Sequence, residues 1–144
     1  MGAPTITAAP ALFRGCSLRQ AAGQSIPNAT YTELSWDSAE YDTDSFADTV
    51  NNRIVIPAGV EKIRLTIGYR LGGTSGFSIV NVWKNGVRYT PFYYQCANSS
   101  GVGPVIVSDV IEVSEGDYFE VQIYHNTGAA KTTAEAFYGC EVVK

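Results

Sequence analysis

Residues 60–71 read VEKIRLTIGYRL, with Ile63, Leu65, Ile67 and Tyr69 alternating with Lys62, Arg64, Thr66 and Arg70. A period of two puts one set on each face of an extended strand, whereas a helix would scatter both sets around its circumference. A long amphipathic strand cannot stand alone. It must pair along both edges and bury its apolar face against a second layer.

The remaining chain supplies partners of the same kind. Residues 12–18 follow Leu-x-Arg-x-Cys-x-Leu. Residues 30–36 set Tyr31, Glu33 and Ser35 against Leu34 and Trp36. Residues 118–124 put Phe119, Val121 and Ile123 on one face. Shorter β-rich runs lie at 24–26 and 53–56, and longer ones at 105–113 and 134–143. Asn85-Gly86 separates the runs 77–84 and 87–94. It predicts a tight hairpin, because a type I′ turn needs positive φ at both central residues. Pro27-Asn28, Pro57-Ala58-Gly59, Ser114-Glu115-Gly116-Asp117 and the tracts 72–76, 98–103 and 126–131 punctuate the rest. About nine or ten antiparallel strands, with turn signals every 8–12 residues or so, predict an all-β sandwich or barrel. No helical period of useful length competes with that pattern. Residues 1–11, with Pro4, Thr5, Ile6 and Pro10, read as an extended arm ahead of a single domain over 12–144.

Composition narrows the function classes. A chain of 144 residues is one domain with room for a sizeable core, and its 45% hydrophobic content fits a globular protein. Charged residues make up 17% and the net charge is −4, which gives no basic footprint for nucleic acid. Low charge with abundant Tyr, Val and Thr suits a surface that packs against other protein. No apolar run approaches the roughly 20 residues of a membrane span, and the N-terminus lacks a basic segment followed by an apolar one. Cys16, Cys96 and Cys140 are odd in number and show no CxxC spacing. They read as buried, reduced thiols, with a Cys16–Cys140 bridge between terminal strands as the alternative. Asn28-Ala29-Thr30 and Asn98-Ser99-Ser100 match the glycosylation sequon and are taken as loop chemistry.

Candidate chemistry is sparse. His125 is the one histidine, at a strand end, and no nucleophile motif such as GxSxG accompanies it. Asp37, Glu40, Asp42, Asp44 and Asp48 crowd one stretch, but without the Gly and Glu positions of an EF-hand loop. Turn capping is the favoured reading, with calcium the alternative. Within 41–53, Tyr41 and Phe46 are expected to point inward, and Asp42 and Asp44 to tie backbone N–H groups. The run Tyr89, Phe92, Tyr93, Tyr94 and Gln95 is rich enough in aromatics to stack on sugar rings. Tyr89, Phe92, Tyr94 and Gln95 are the candidate glycan or ligand residues. No enzyme activity and no cofactor is expected.

Several motifs stand in a suggestive order: Ser25-Ile26-Pro27-Asn28, Leu34-Ser35-Trp36-Asp37, Tyr41-Asp42-Thr43-Asp44 and Ile56-Pro57-Ala58-Gly59. The Asn85-Gly86 hairpin, Glu115-Gly116-Asp117-Tyr118 and Val121-x-x-Tyr124-His125-Asn126-Thr127-Gly128 follow. Over residues 12–143 the chain resembles the tumour-necrosis-factor/complement-globular-head-like jelly roll of tailed-phage virion proteins. The resemblance implies a homotrimer of two-sheet jelly-roll β-sandwiches, with Tyr69, Tyr93, Tyr124 and Tyr138 as candidates for the contact between protomers. It also implies a place in the virion. There the chain would be a capsid decoration (cement) protein or short head fibre, held to the major capsid protein or another virion protein by the arm. The short arm, with no shaft ahead of the jelly roll, favours this over the alternative, a fibre-tip module that binds a host receptor or surface glycan.

Overall fold

The computed structural model describes residues 12–73, 75–99 and 103–144, so the arm residues Pro4, Thr5, Ile6 and Pro10 lie outside the described residues. Among those described there is no helix, and thirteen strands form two antiparallel sheets.

The first sheet is built around β7 (Lys62–Leu71), the long alternating run. It has the order β10 (Val105–Val107), β7, β13 (Lys131–Val142), β1 (Gly15–Arg19), β4 (Ser38–Asp42). β11 (Ile111–Glu112) extends the pairing of β7, and β2 (Ser25–Ile26) that of β13. The second sheet runs β5 (Ala47–Asp48), β6 (Arg53–Val55), β12 (Tyr118–His125), β8 (Phe77–Lys84), β9 (Val87–Ala97), with β3 (Thr32–Glu33) also on β12.

Alternation decides which side chains fill the space between the sheets. From the first sheet come Cys16, Leu18, Ile63, Leu65, Ile67, Tyr69, Tyr138 and Cys140; from the second, Ile54, Val80, Val82, Phe119, Val121 and Ile123. Leu34, Trp36, Phe46 and Ile56, from the connections between strands, join the same core. Burying this many branched and aromatic side chains supplies the main driving force for folding. Asn85 and Gly86 carry φ of 53° and 80°, as the hairpin requires. The Asn85 side chain also donates to Asp117 (2.9 Å) and accepts from Tyr118 N (2.9 Å), which locks the hairpin to the neighbouring turn.

Three expectations change. The run 105–113 is two short strands, because Ser108 turns inward: its hydroxyl accepts from Leu65 N at 2.9 Å and donates to Asp109 O. The stretch 38–42 is a strand although every residue in it is exposed, since β1 supplies its hydrogen bonds. Within 41–53, Phe46 is buried and the Asp42 carboxylate accepts from Phe46 N (2.8 Å) and Ala47 N (2.9 Å), as expected. Tyr41, however, is 45% exposed and meets Phe13 edge to face. Asp44 accepts from Arg14 (3.1 Å) and the Thr43 hydroxyl (2.7 Å) rather than from backbone.

Cys16 and Cys140 face each other across β1 and β13, both as free thiols in the core. Burial pushes Cys140 up to about 12 and Cys16 further in the same direction, so neither is a thiolate at neutral pH.

Candidate functional site

His125 has no role left to offer as a base. Its ring is fully buried; Nε2 donates to Ile26 O at 2.8 Å, and Nδ1 accepts from the Thr127 hydroxyl at 3.0 Å. The acidic stretch is likewise spoken for, one carboxylate at a time. Asp37 accepts from Ala21 N, Glu40 pairs with Arg19, and Asp48 holds Arg53 and Asn51. Hydrogen bonds from Asn51 and Arg53 lower the Asp48 pKa, and those from Arg14 and Thr43 lower that of Asp44. Among the described residues no group of three acidic, His or Cys side chains converges as a metal would require.

The functional question therefore passes to the two outward faces of the sandwich. On the first sheet a groove of about 330 Å³ runs over small side chains: Ser17, Thr66 and Gly139 form its floor. Phe13, Tyr41, Val107 and Phe137 wall it, and the charged Arg19 and Glu141 line it as well. Gly68 makes this possible, because a Cβ there would come within 2.3 Å of the Phe137 ring, which lies against the bare backbone. The Arg19 guanidinium sits 5.1 Å from the same ring centroid. Phe13, Tyr41, Val105 and Val107 are 52%, 45%, 63% and 55% exposed, a concentration of apolar surface that a lone domain gains nothing by showing to water.

The outward face of the second sheet has a different character. Its middle row runs Glu33, Gln122, Asn81, Tyr93 across β3, β12, β8 and β9. Asn81 is fully buried, and its Oδ1 accepts from Trp83 Nε1 at 2.9 Å. Tyr31 and Tyr93 meet above this face, hydroxyl to hydroxyl at 3.3 Å. The Arg88 guanidinium lies 5.4 Å from the Tyr31 ring centroid and 5.5 Å from that of Tyr93. Tyr31 also packs on Tyr124 (5.0 Å), which packs on Phe77 (6.2 Å). Burial, with the Glu120 carboxyl beside it, raises the Glu33 pKa to about 7.

Against these faces the sequence candidates divide. Tyr69 and Tyr138 belong to the core and not to a contact between protomers. They are 3% and 0% exposed, the Tyr69 hydroxyl meets Ser78 at 2.8 Å, and Tyr138 donates to Phe119 O. Desolvation raises both pKa values. Tyr93 and Tyr124 do face outward, together, on the second sheet. Of the glycan candidates, Phe92 is fully buried and is corrected to a core residue, while Tyr89 packs partly against the core. Tyr94 and Gln95 remain exposed at the end of β9. The groove residues Phe13, Val107 and Phe137 escaped the sequence reading. An apolar side chain on a strand reads as core until the partner face is known.

No protein-family model and no curated protein matches the chain by sequence. Solved structures do match its shape. The globular domain of zebrafish complement 1qA protein is 12% identical, with 91% of this chain and 98% of that one covered and a TM-score of 0.55. Murine APRIL is 14% identical, with 92% and 100% covered and a TM-score of 0.68. A chain in the structure of infectious bursal disease virus Gt strain is 10% identical. It matches 97% of this chain but 38% of its own length, with a TM-score of 0.55. At these identities the likeness shows the fold alone: a single-domain jelly-roll β-sandwich of the kind the complement head and APRIL adopt.

Proposed function

We propose that this chain is a structural protein of a tailed-phage virion, a homotrimeric capsid decoration protein or short head fibre. The observation that carries the reading is the apolar groove on the outward face of the first sheet. Its small-residue floor and aromatic walls fit insertion of side chains from a neighbouring protomer. The likeness to a chain from a virus structure supports a place in a particle. In this reading residues 1–11 attach the trimer to the major capsid protein or another virion protein, and each contact is modest. A trimer over a junction of shell subunits gains by effective concentration, and it stabilises the shell because it binds the assembled form alone. No catalytic step is involved.

Deleting residues 1–10 is expected to abolish co-sedimentation with shells that lack the protein while leaving the trimer folded. Undiminished coating by the truncated protein defeats the attachment role. Labelled protein on intact particles should lie on the head; label at the tail tip instead favours a receptor-binding module.

A further inference from the structure

Among the described residues three buried side-chain polar atoms have no hydrogen-bond partner: Trp36 Nε1, Glu33 Oε1 and Asn81 Nδ2. Trp36 lies between the sheets. The other two lie in one cross-strand row on the outward face of the second sheet, with Gln122 between them. A buried donor or acceptor left unpaired costs about 1–3 kcal/mol, so two in one row, roofed by aromatic rings, call for a partner from outside.

The two orphans define that partner. Asn81 Nδ2 needs an acceptor, and Glu33 Oε1 needs a donor, which the neighbouring Glu120 carboxyl supplies only while the pair holds a proton. A hydroxyl is both, and a ligand bearing several can serve both positions at once. Neighbouring strands lie about 4.8 Å apart, so the two positions are separated by about 10 Å, a span suited to more than one sugar ring. Above them the rings of Tyr31 and Tyr93, 38% and 40% exposed, offer faces whose negative π-density attracts the polarised C–H groups of a pyranose. Glu33 and Glu120 disfavour a negatively charged ligand at this row. The Arg88 guanidinium covers one side of each ring and braces the platform, so the saccharide takes the sides left exposed.

We infer that the outward face of the second sheet is a binding platform for a neutral, hexose-containing saccharide. The sugar stacks on Tyr31 and Tyr93, and its hydroxyls reach Glu33 and Asn81 when the 3.3 Å contact between the two tyrosine hydroxyls parts. The site is distinct from the groove on the first sheet and does not depend on a virion role. It also differs from the ligand site expected at Tyr89, Phe92, Tyr94 and Gln95, since it includes none of those residues.

The test titrates the full-length protein, followed by NMR, with maltohexaose, cellohexaose and mannohexaose, and with a hyaluronan tetrasaccharide as charged probe. At least one neutral hexasaccharide should shift the Asn81 side-chain amide resonance. Tyr93→Ala and Tyr31→Ala should each weaken binding roughly tenfold or more, while Tyr94→Ala, which removes an exposed tyrosine off the platform, should leave it unchanged. Absence of binding by all three neutral probes overturns the inference. So does binding of the charged probe alone, or equal loss in Tyr94→Ala and Tyr93→Ala. All three substitutions are at partly exposed positions, and retained thermal unfolding of each variant keeps a folding defect from passing for a binding defect.

Discussion

Glu33 keeps one carboxyl oxygen out of water and the Glu120 carboxyl close by, which brings its titration up to neutral pH. Its pKa rises from 4.5 to about 7, chiefly through desolvation. A raised carboxyl pKa means that the folded state holds the proton more tightly than the unfolded state. The associated stability is complete below about 4.5 and is lost as pH climbs through about 7. Glu33 is partly exposed, so screening limits the effect to roughly 1 kcal/mol. Glu33→Gln should therefore flatten the loss of stability between pH 5 and 8 and raise the pH 8 melting temperature by about 3 °C. Identical pH profiles for variant and parent in thermal unfolding would rule out this account. Other carboxylates act in the opposite sense. Asp44 and Asp48 have lowered pKa values, so the stability they contribute is present above the usual carboxylate range and lost as pH falls through it.

At the scale of elements, the crossing from β4 in the first sheet to β5 in the second rests on Asp42. Its carboxylate accepts from two successive backbone N–H groups, and the chain then drops Phe46 into the core. Asp42→Ala leaves both donors without that acceptor and should cost about 1–2 kcal/mol, as lost caps do. Asp42→Asn, with one oxygen, should recover part of it. Equilibrium urea unfolding measures both, and an alanine variant as stable as the parent would show that the crossing does not need the carboxylate. Half of this connection was legible in the sequence: Phe46 inward and Asp42 on backbone N–H groups hold, whereas Tyr41 is exposed and Asp44 pairs with side chains. Much else in the fold was legible: period two, broken by Asn-Gly and Pro-Ala-Gly, marks strands wherever one face is apolar. β4 was not, since SAEYD has no alternation and is a strand only because β1 lends it hydrogen bonds. The candidate sites were less legible. Period two says that Phe137 and Tyr138 point opposite ways but not which way is inward. Favouring tyrosines for contacts between protomers chose Tyr138, which is buried, over Phe137, which lines the groove. The pairing of Glu33 with Asn81 through Gln122 depends on strand order, which no local pattern encodes.

Over the whole molecule, the two outward faces differ in chemistry, and this sets what each can do in an assembly. The first offers a groove with aromatic and aliphatic walls and a floor of small residues, with Arg19 and Glu141 also in its lining. The second offers tyrosines over a polar row. If trimers form through the first face, the second stays open to the surroundings, and one particle can hold neighbours with one sheet and a saccharide with the other. Thr66 separates the roles cleanly. It lies in register with Gly139 and Val107 on the groove floor, half-buried and pointing away from the core. Thr66→Arg should place a charge where a neighbouring protomer's apolar side chains would enter, at a penalty large enough to shift a trimer to monomers at micromolar concentration. The sandwich core is untouched, so thermal unfolding of the monomer should remain cooperative. Analytical ultracentrifugation of parent and variant decides the matter. A trimeric parent and monomeric variant place the contact on the first sheet. A variant that remains trimeric moves the contact to another face, with the second sheet then the first to test.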